Sequence, residues 1–230
     1  MKTIAITQRV ERNRYGKEVD SLEHDYVNYY AKFGVVLIPI PNSLRSIKSY
    51  LSNLCVDGII LSGGGDIYPS LYRKTPRKGF EYFPERDILE KKILKFAIKN
   101  DIPVLGECRG MQFLNTFFGG SLLNGFDKKN IQHAGTRHTI KIVDNSSKEY
   151  LNIKSATVNS FHNYSISRNE LSTSLRAFAE AADGTIEGVY YPGKALAGIM
   201  WHPEREKRES LLNIMLVESF IKRKLYWSKK

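Results

Sequence analysis

Pro103-Val104-Leu105-Gly106-Glu107-Cys108-Arg109-Gly110-Met111 is the stretch on which the fold turns. The short apolar run Pro103–Gly106 reads as a buried strand, and an apolar helical stretch, Met111–Phe118, follows almost at once. Between them lies a glycine-flanked Glu107-Cys108-Arg109, the arrangement of a nucleophile elbow. Glycines on each side let the backbone turn sharply, so the Cys108 side chain stands clear of the sheet. A cysteine at a helix N-terminus also has its thiolate favoured by the helix dipole. The competing reading is a buried structural cysteine, the usual fate of a free thiol. That role is assigned instead to Cys55, inside the apolar run LCVDGII.

Outward from the elbow, two periodicities alternate through the N-terminal half. Thr3–Thr7, Val35–Ile40 and Gly58–Ser62 read as further strands. Helical spacing links Leu22, Tyr26, Tyr29, Tyr30 and Phe33, with Gly34 as C-cap. It also links Leu44, Ile47, Leu51 and Leu54, and then Ile88, Leu89, Ile93, Leu94, Ala97 and Ile98 after Pro84. Strands alternating with helices imply an α/β, mostly parallel sheet with helices on both faces. The second half is richer in strands: His138–Val143, Ala156–Asn159, Arg176–Ala181, Ile186–Tyr191 and Ala195–Trp201. Asp183-Gly184 predicts a hairpin between two of these. A last helix is expected at Glu206–Lys224, and the chain, 1–230, reads as one domain.

Two further stretches complement the elbow. In Trp201-His202-Pro203-Glu204, residues two apart in an extended chain share a face, and Pro203 disfavours helical geometry at His202. Glu204 would then orient the imidazole while His202 takes the Cys108 proton. Ser62-Gly63-Gly64-Gly65-Asp66 ends the third strand, where its backbone amides and that of Arg109 would line an oxyanion hole. The Gly-Lys-Ser/Thr ending of a phosphate-binding P-loop is missing.

The composition is that of a globular protein: 42% hydrophobic residues, 26% charged and 11% aromatic, which excludes a disordered chain. Two cysteines make no disulfide framework, and no metal-type Cys/His spacing is present. The N-terminus turns polar after six residues and no apolar run reaches the roughly 20 residues of a membrane span. A cytoplasmic protein without metal, cofactor or membrane partner is expected. The formal net charge of +11 fits nucleic acid, a small anion or simply a solvated basic face.

The motifs SGGGDIYP (62–69), ERD (85–87), GECRGMQ (106–112), GGSL (119–122), VNSFHN (158–163), EAADGTIEGV (180–189) and GIMWHPE (198–204) together span nearly the whole chain. In this order they resemble the class I glutamine amidotransferase fold and, within it, the gamma-glutamyl hydrolase branch. The resemblance implies a Cys108–His202–Glu204 triad, with oxyanion contacts from Gly64, Gly65 and Arg109. It also implies a glutamyl group held near Gln112, Asn159, Ser160 and Phe161. Glu107 departs from the family pattern, where an apolar residue is commoner.

Placed on such a fold, the charge gains a location. Arg9, Arg12, Arg14 and Lys17 follow the first strand, and Arg73, Lys74, Arg77 and Lys78 follow the glycine loop. Both loops lie at the C-terminal edge of an open sheet, where ligands bind. Arg9, Arg73 and Lys74 are therefore expected to meet an anionic leaving group, a phosphate or nucleotide. The alternative is that long surface loops carry Lys and Arg with no ligand, which is the reading given to the C-terminal KRK and KK. The expected partners are a small anionic gamma-glutamyl substrate and, for assembly, a second copy in a homodimer. No nucleic-acid motif accompanies the charge. A glutamyl-amine hydrolase and a glutaminase subunit serving a separate synthetase are the other activities the resemblance allows.

Overall fold

The computed structural model describes residues 1–124 and 133–222. One nine-stranded sheet runs through them, and its centre is parallel. In spatial order, β4 (Val35–Ile40), β1 (Lys2–Thr7), β5 (Gly58–Leu61), β6 (Val104–Glu107) and β13 (Leu196–Ile199) lie side by side in one direction. Then β12 (Ile186–Tyr190), β11 (Arg176–Ala181), β8 (Ala134–Ile142) and β9 (Ser155–Phe161) continue the sheet antiparallel. The strands β5, β6, β12 and β13 are buried throughout, as their mostly apolar sequences require when both faces are covered, with Glu107 and Glu187 the buried exceptions. The Asp183-Gly184 turn joins β11 to β12, as the sequence predicts.

Helices cover the two faces. The aromatic face of α1 (His24–Ala31) and the last helix, α6 (Leu211–Ile221), share one core cluster with Trp201. On the opposite face, α2 (Ile47–Leu54), α3 (Pro84–Lys99) and α4 (Arg109–Phe117) form the other. A short α5 (Asn145–Leu151) joins β8 to β9, with Asp144 capping it through the Ser147 amide.

Several expectations are corrected. The basic loop after the first strand is a hairpin, β2 (Arg9–Arg12) with β3 (Glu18–Ser21). The alternating charges there pair across it, Arg12 with Glu18 at 2.7 Å and also with Glu81 at 2.6 Å. Cys55 is exposed rather than buried, because α2 ends there in a left-handed residue (φ 48°) that turns it out of the core. The final helix begins at Leu211, where Ser210 accepts the Asn213 amide. The positions predicted for its end, and most of the terminal basic run, lie outside the described residues. On α3, Ile88 is exposed, while the buried face includes Arg86, Asp87 and Glu90.

Candidate active site

The elbow begins where β6 meets α4. Cys108 has φ 50° and ψ −104°, a conformation that L residues avoid, and its N–H donates to Ile199 O at 2.8 Å. It sits at the N-cap of α4, 6% exposed. The flanking glycines serve a different purpose from the one the sequence suggests. Neither has the positive φ, which belongs to Cys108 itself. A Cβ on Gly110 would lie 2.1 Å from Leu61 O, and one on Gly106 2.6 Å from the Gly110 carbonyl. Side chains there would push α4 off the strands; their absence presses the helix N-terminus against the thiol.

The neighbouring strand delivers the histidine. The parallel register pairs Gly198 with Gly106 and Ile199 with Glu107, so β6 and β13 end together and place Cys108 and His202 on one sheet edge. His202 Nδ1 lies 2.6 Å from Glu204 Oε1, both side chains buried. The pairing predicted from an extended chain is made by another geometry, a 3₁₀ turn at Pro203–Arg205. Asn159 fixes the backbone at this point: its amide donates to His202 O at 2.7 Å and its carbonyl accepts from His202 N at 2.8 Å. Both ends of the Asn159 side chain are thereby committed to His202. Phe161 packs edge-on at 5.8 Å from the imidazole, with Arg205 over its other side at 5.0 Å. Burial pushes the Glu204 carboxyl up to about 7.

His202 also packs on the glycine loop, where a Cβ on Gly63 would lie 2.7 Å from its Cε1. The loop is held from behind by Arg86, which the sequence offers within the ERD stretch but without a role. Its guanidinium donates to Ser62 O at 2.7 Å, Gly64 O at 2.6 Å and Gly63 O at 3.2 Å. The Gly63 amide donates to the Tyr26 hydroxyl at 3.0 Å. Among the described residues, the N–H groups of Gly64 (φ 81°) and Gly65 (φ 72°) have no acceptor. Arg86 in turn bonds Glu90 at 2.9 Å, and Arg109 bonds Glu90 at 2.6 Å and also Asp87. Burial opposes the charge on Glu90, but Arg109 and Arg86 outweigh it and hold that carboxyl below its ordinary value. The Arg109 side chain is thus a buried strut between α4 and α3, leaving its backbone to the site.

Glu107 is engaged by α1. Its Oε1 accepts a short bond from the Tyr30 hydroxyl, and the residue is fully buried. Burial, reinforced by the charge of Glu204, raises its carboxyl well above the usual range. It therefore stays neutral and adds no negative charge beside Cys108.

The residues expected to hold substrate are distributed unevenly. Gln112 Nε2 donates to Tyr164 O at 3.1 Å, and Ser160 is fully buried with its hydroxyl unpartnered. Arg9 lies over Gly64 but is paired with Glu11 at 2.5 Å and Glu23 at 3.5 Å. Arg73 is exposed at the end of a 3₁₀ turn, Pro69–Tyr72. Lys74, by contrast, lines a cavity of about 190 Å³ with Arg77, Tyr72, Tyr82, Asn124 and Tyr164. Tyr164 belongs to a small strand, β10 (Tyr164–Ser165), paired with β7 (Leu123–Asn124). Its carbonyl bond to Gln112 places this cavity beside the site. Among the described residues no helix is long and apolar enough to cross a membrane.

Comparison with known proteins places this geometry. Residues 2–204 match the Peptidase C26 family model. A gamma-glutamyl-CDP-amidate hydrolase of Campylobacter jejuni is 30% identical, covering 94% of this chain and 96% of its own. A gamma-glutamyl-gamma-aminobutyrate hydrolase of Escherichia coli O157:H7 is 29% identical, covering 91% and 89%. A glutamine amidotransferase of known structure from Thermotoga maritima superposes with a TM-score of 0.61 at 16% identity, covering 96% of this chain and 83% of that one. The sheet order is thus a class I glutamine amidotransferase fold, and the chain belongs to the Peptidase C26 family.

Proposed function

We propose that this protein is a cysteine-dependent hydrolase of gamma-glutamyl amides whose leaving group is anionic, a nucleotide amidate such as gamma-glutamyl-CDP-amidate. The observation that carries the reading is the elbow cysteine set beside a buried His202–Glu204 pair on the adjoining strand end. Cys108 Sγ attacks the gamma-carbonyl while His202 Nε2 takes the thiol proton. The oxyanion is received by the N–H groups of Gly64, Gly65 and Arg109. Collapse breaks the amide bond; His202 protonates the departing nitrogen and leaves a glutamyl thioester on Cys108. Water, deprotonated by His202, then hydrolyses the thioester to glutamate and restores the thiol.

The leaving group is read from the basic cavity beside Gln112. Lys74 and Arg77 fit phosphate oxygens, and the tyrosines offer faces for a base or sugar. The Campylobacter relative, aligned nearly end to end, carries a name that fits this chemistry. The test is kcat/KM for a gamma-glutamyl nucleotide amidate, a gamma-glutamyl alkylamine and glutamine. The nucleotide amidate is expected to lead, and Lys74→Ala with Arg77→Ala to raise its KM about tenfold while leaving glutamine unaffected. Preference for the alkylamine, the chemistry named for the Escherichia coli relative, overturns the anionic reading and leaves the hydrolase standing. Weak glutamine hydrolysis alone, stimulated by a synthetase, points instead to a glutaminase subunit.

A further inference from the structure

On the antiparallel side of the sheet, apart from Cys108, His133, His162 and Glu187 bring their ligand atoms within 4.8 Å of one another, and His138 stands beside Glu187. Glu187 projects from β12 and His138 from β8. The strand between them, β11, ends at Ala181 in register with Ile140, so these side chains meet past its end. Glu187 Oε1 lies 3.7 Å from both His133 Nδ1 and His162 Nε2, and Oε2 lies 3.5 Å from His138 Nε2. These separations are too long for hydrogen bonds. All three imidazole nitrogens and Oε2 are buried without a partner. Oε1 has one long contact, 3.3 Å, with the Thr185 hydroxyl.

The opposite ring nitrogens show which atoms carry protons. His162 Nδ1 is 2.9 Å from Tyr164 O, a pure acceptor, so Nδ1 bears the hydrogen. His133 Nε2 is 2.9 Å from Asp183 Oδ2, with the same consequence. A neutral imidazole donating at one nitrogen presents a lone pair at the other. With neutral imidazoles, two such lone pairs and a carboxylate face one another across a buried space, an arrangement that suits a cation at its centre. The spacing suits one: donors at about 2.0–2.1 Å from a tetrahedral zinc ion stand about 3.4 Å apart. Metal-binding histidines characteristically give their other N–H to a carboxylate or backbone carbonyl, here Asp183 and Tyr164.

We propose that His133, His162 and Glu187 form a structural site for a divalent transition ion, best matched by Zn²⁺, with His138 at its edge beside Glu187. The three ligands come from separate stretches, so no compact motif marks them in the sequence, which is read above as metal-free. The ion would join β8 and β12 to the segment after β9. The Tyr164 carbonyl receives both His162 Nδ1 and Gln112 Nε2, so the same ion would brace the wall that holds Gln112.

The experiment measures metal content and Zn²⁺ uptake by the full chain after chelation and dialysis, with X-ray absorption at the zinc edge. About one equivalent is expected, in an imidazole and oxygen environment without sulfur. Saturation is expected to raise Tm by about 5–10 °C. Glu187→Gln, which preserves shape and removes the charge, is expected to weaken Zn²⁺ binding about a hundredfold or more. Uptake below about 0.1 equivalent at 100-fold excess over protein, sulfur in the zinc shell, or unchanged affinity in a folded Glu187→Gln overturns the site. Should that variant not fold, uptake and the absorption spectrum of the unsubstituted chain still decide. None of these readouts depends on turnover, so the hydrolase reading stands or falls separately.

Discussion

Cys108→Ala abolishes gamma-glutamyl hydrolysis: kcat is expected to fall by about 10⁴-fold or more, with Cys108→Ser similarly inactive. The expectation rests on place as well as on chemistry. Cys108 is held at φ 50° where β6 becomes α4, on the edge that carries His202. The chain's other thiol, Cys55, ends α2 on the surface and cannot substitute. Mass spectrometry during turnover of a slow substrate should find a glutamyl adduct on Cys108 alone. Near-normal hydrolysis by Cys108→Ala sinks the thioester mechanism. The same geometry implies a stability gain of opposite sign. A non-glycine residue in this conformation costs about 1–3 kcal/mol, so Cys108→Gly is expected to raise Tm while eliminating activity. A protein that strains its backbone at one residue is holding that side chain where relaxation would not put it.

Much of this site is legible in the sequence because its parts are local. The elbow is five consecutive residues, and His202 and Glu204 lie two apart, so a strand-to-helix turn and one proline locate them. The sheet is legible for the same reason, since buried parallel strands are continuous apolar runs. What escapes is charge placed where charge is rarely found. Helical periodicity on α3 puts Ile88 inward, yet Arg86, Asp87 and Glu90 occupy the buried face and Ile88 is 55% exposed. Only the tertiary partners Arg109 and the carbonyls of residues 62–64 make that burial tolerable, and these lie elsewhere in the chain. The basic loops escape for a related reason. Arg9 and Arg12 are answered by Glu11, Glu18, Glu23 and Glu81, so their formal charge overstates what a ligand would meet.

Glu107 is where removing a charge and removing a hydrogen bond should give different outcomes. Its Oε1 takes the Tyr30 hydroxyl; its Oε2 and Glu204 Oε2 are both buried without a hydrogen-bond partner, and the charge of Glu204 raises the Glu107 carboxyl further. Tyr26 and Tyr29 of α1 and His202 and Arg205 beyond β13 complete the surroundings. Two carboxylates cannot both be charged here. Glu107, the more deeply buried and the more strongly raised, is the one expected to hold the proton, which leaves Glu204 free to anchor His202. The folded chain thus keeps a proton that the unfolded chain loses near its ordinary value of 4.5. Stability must then fall as pH rises above that value, by about 1.4 kcal/mol per pH unit until the folded carboxyl also ionises. Glu107→Gln keeps the shape and an acceptor for Tyr30 and has nothing to titrate. Its Tm is expected to exceed that of the unsubstituted chain increasingly from pH 5 to 8, with kcat/KM within about threefold. Activity in either protein should decline as pH falls through about 7, where Glu204 gains its proton. Glu107→Leu removes the acid and its proton and sets an apolar side chain in their place beside the buried Glu204. The acidic limb of kcat/KM is then expected to move alkaline, with a loss at pH 7 of about a hundredfold that partly recovers by pH 9. A leucine variant with an unmoved limb and a normal rate would reduce Glu107 to core filling. The distinction matters because an apolar residue fills the same volume without adding any charge. A moved acidic limb would give the buried acid next to the nucleophile a role, tuning Glu204, that an apolar residue could not fill.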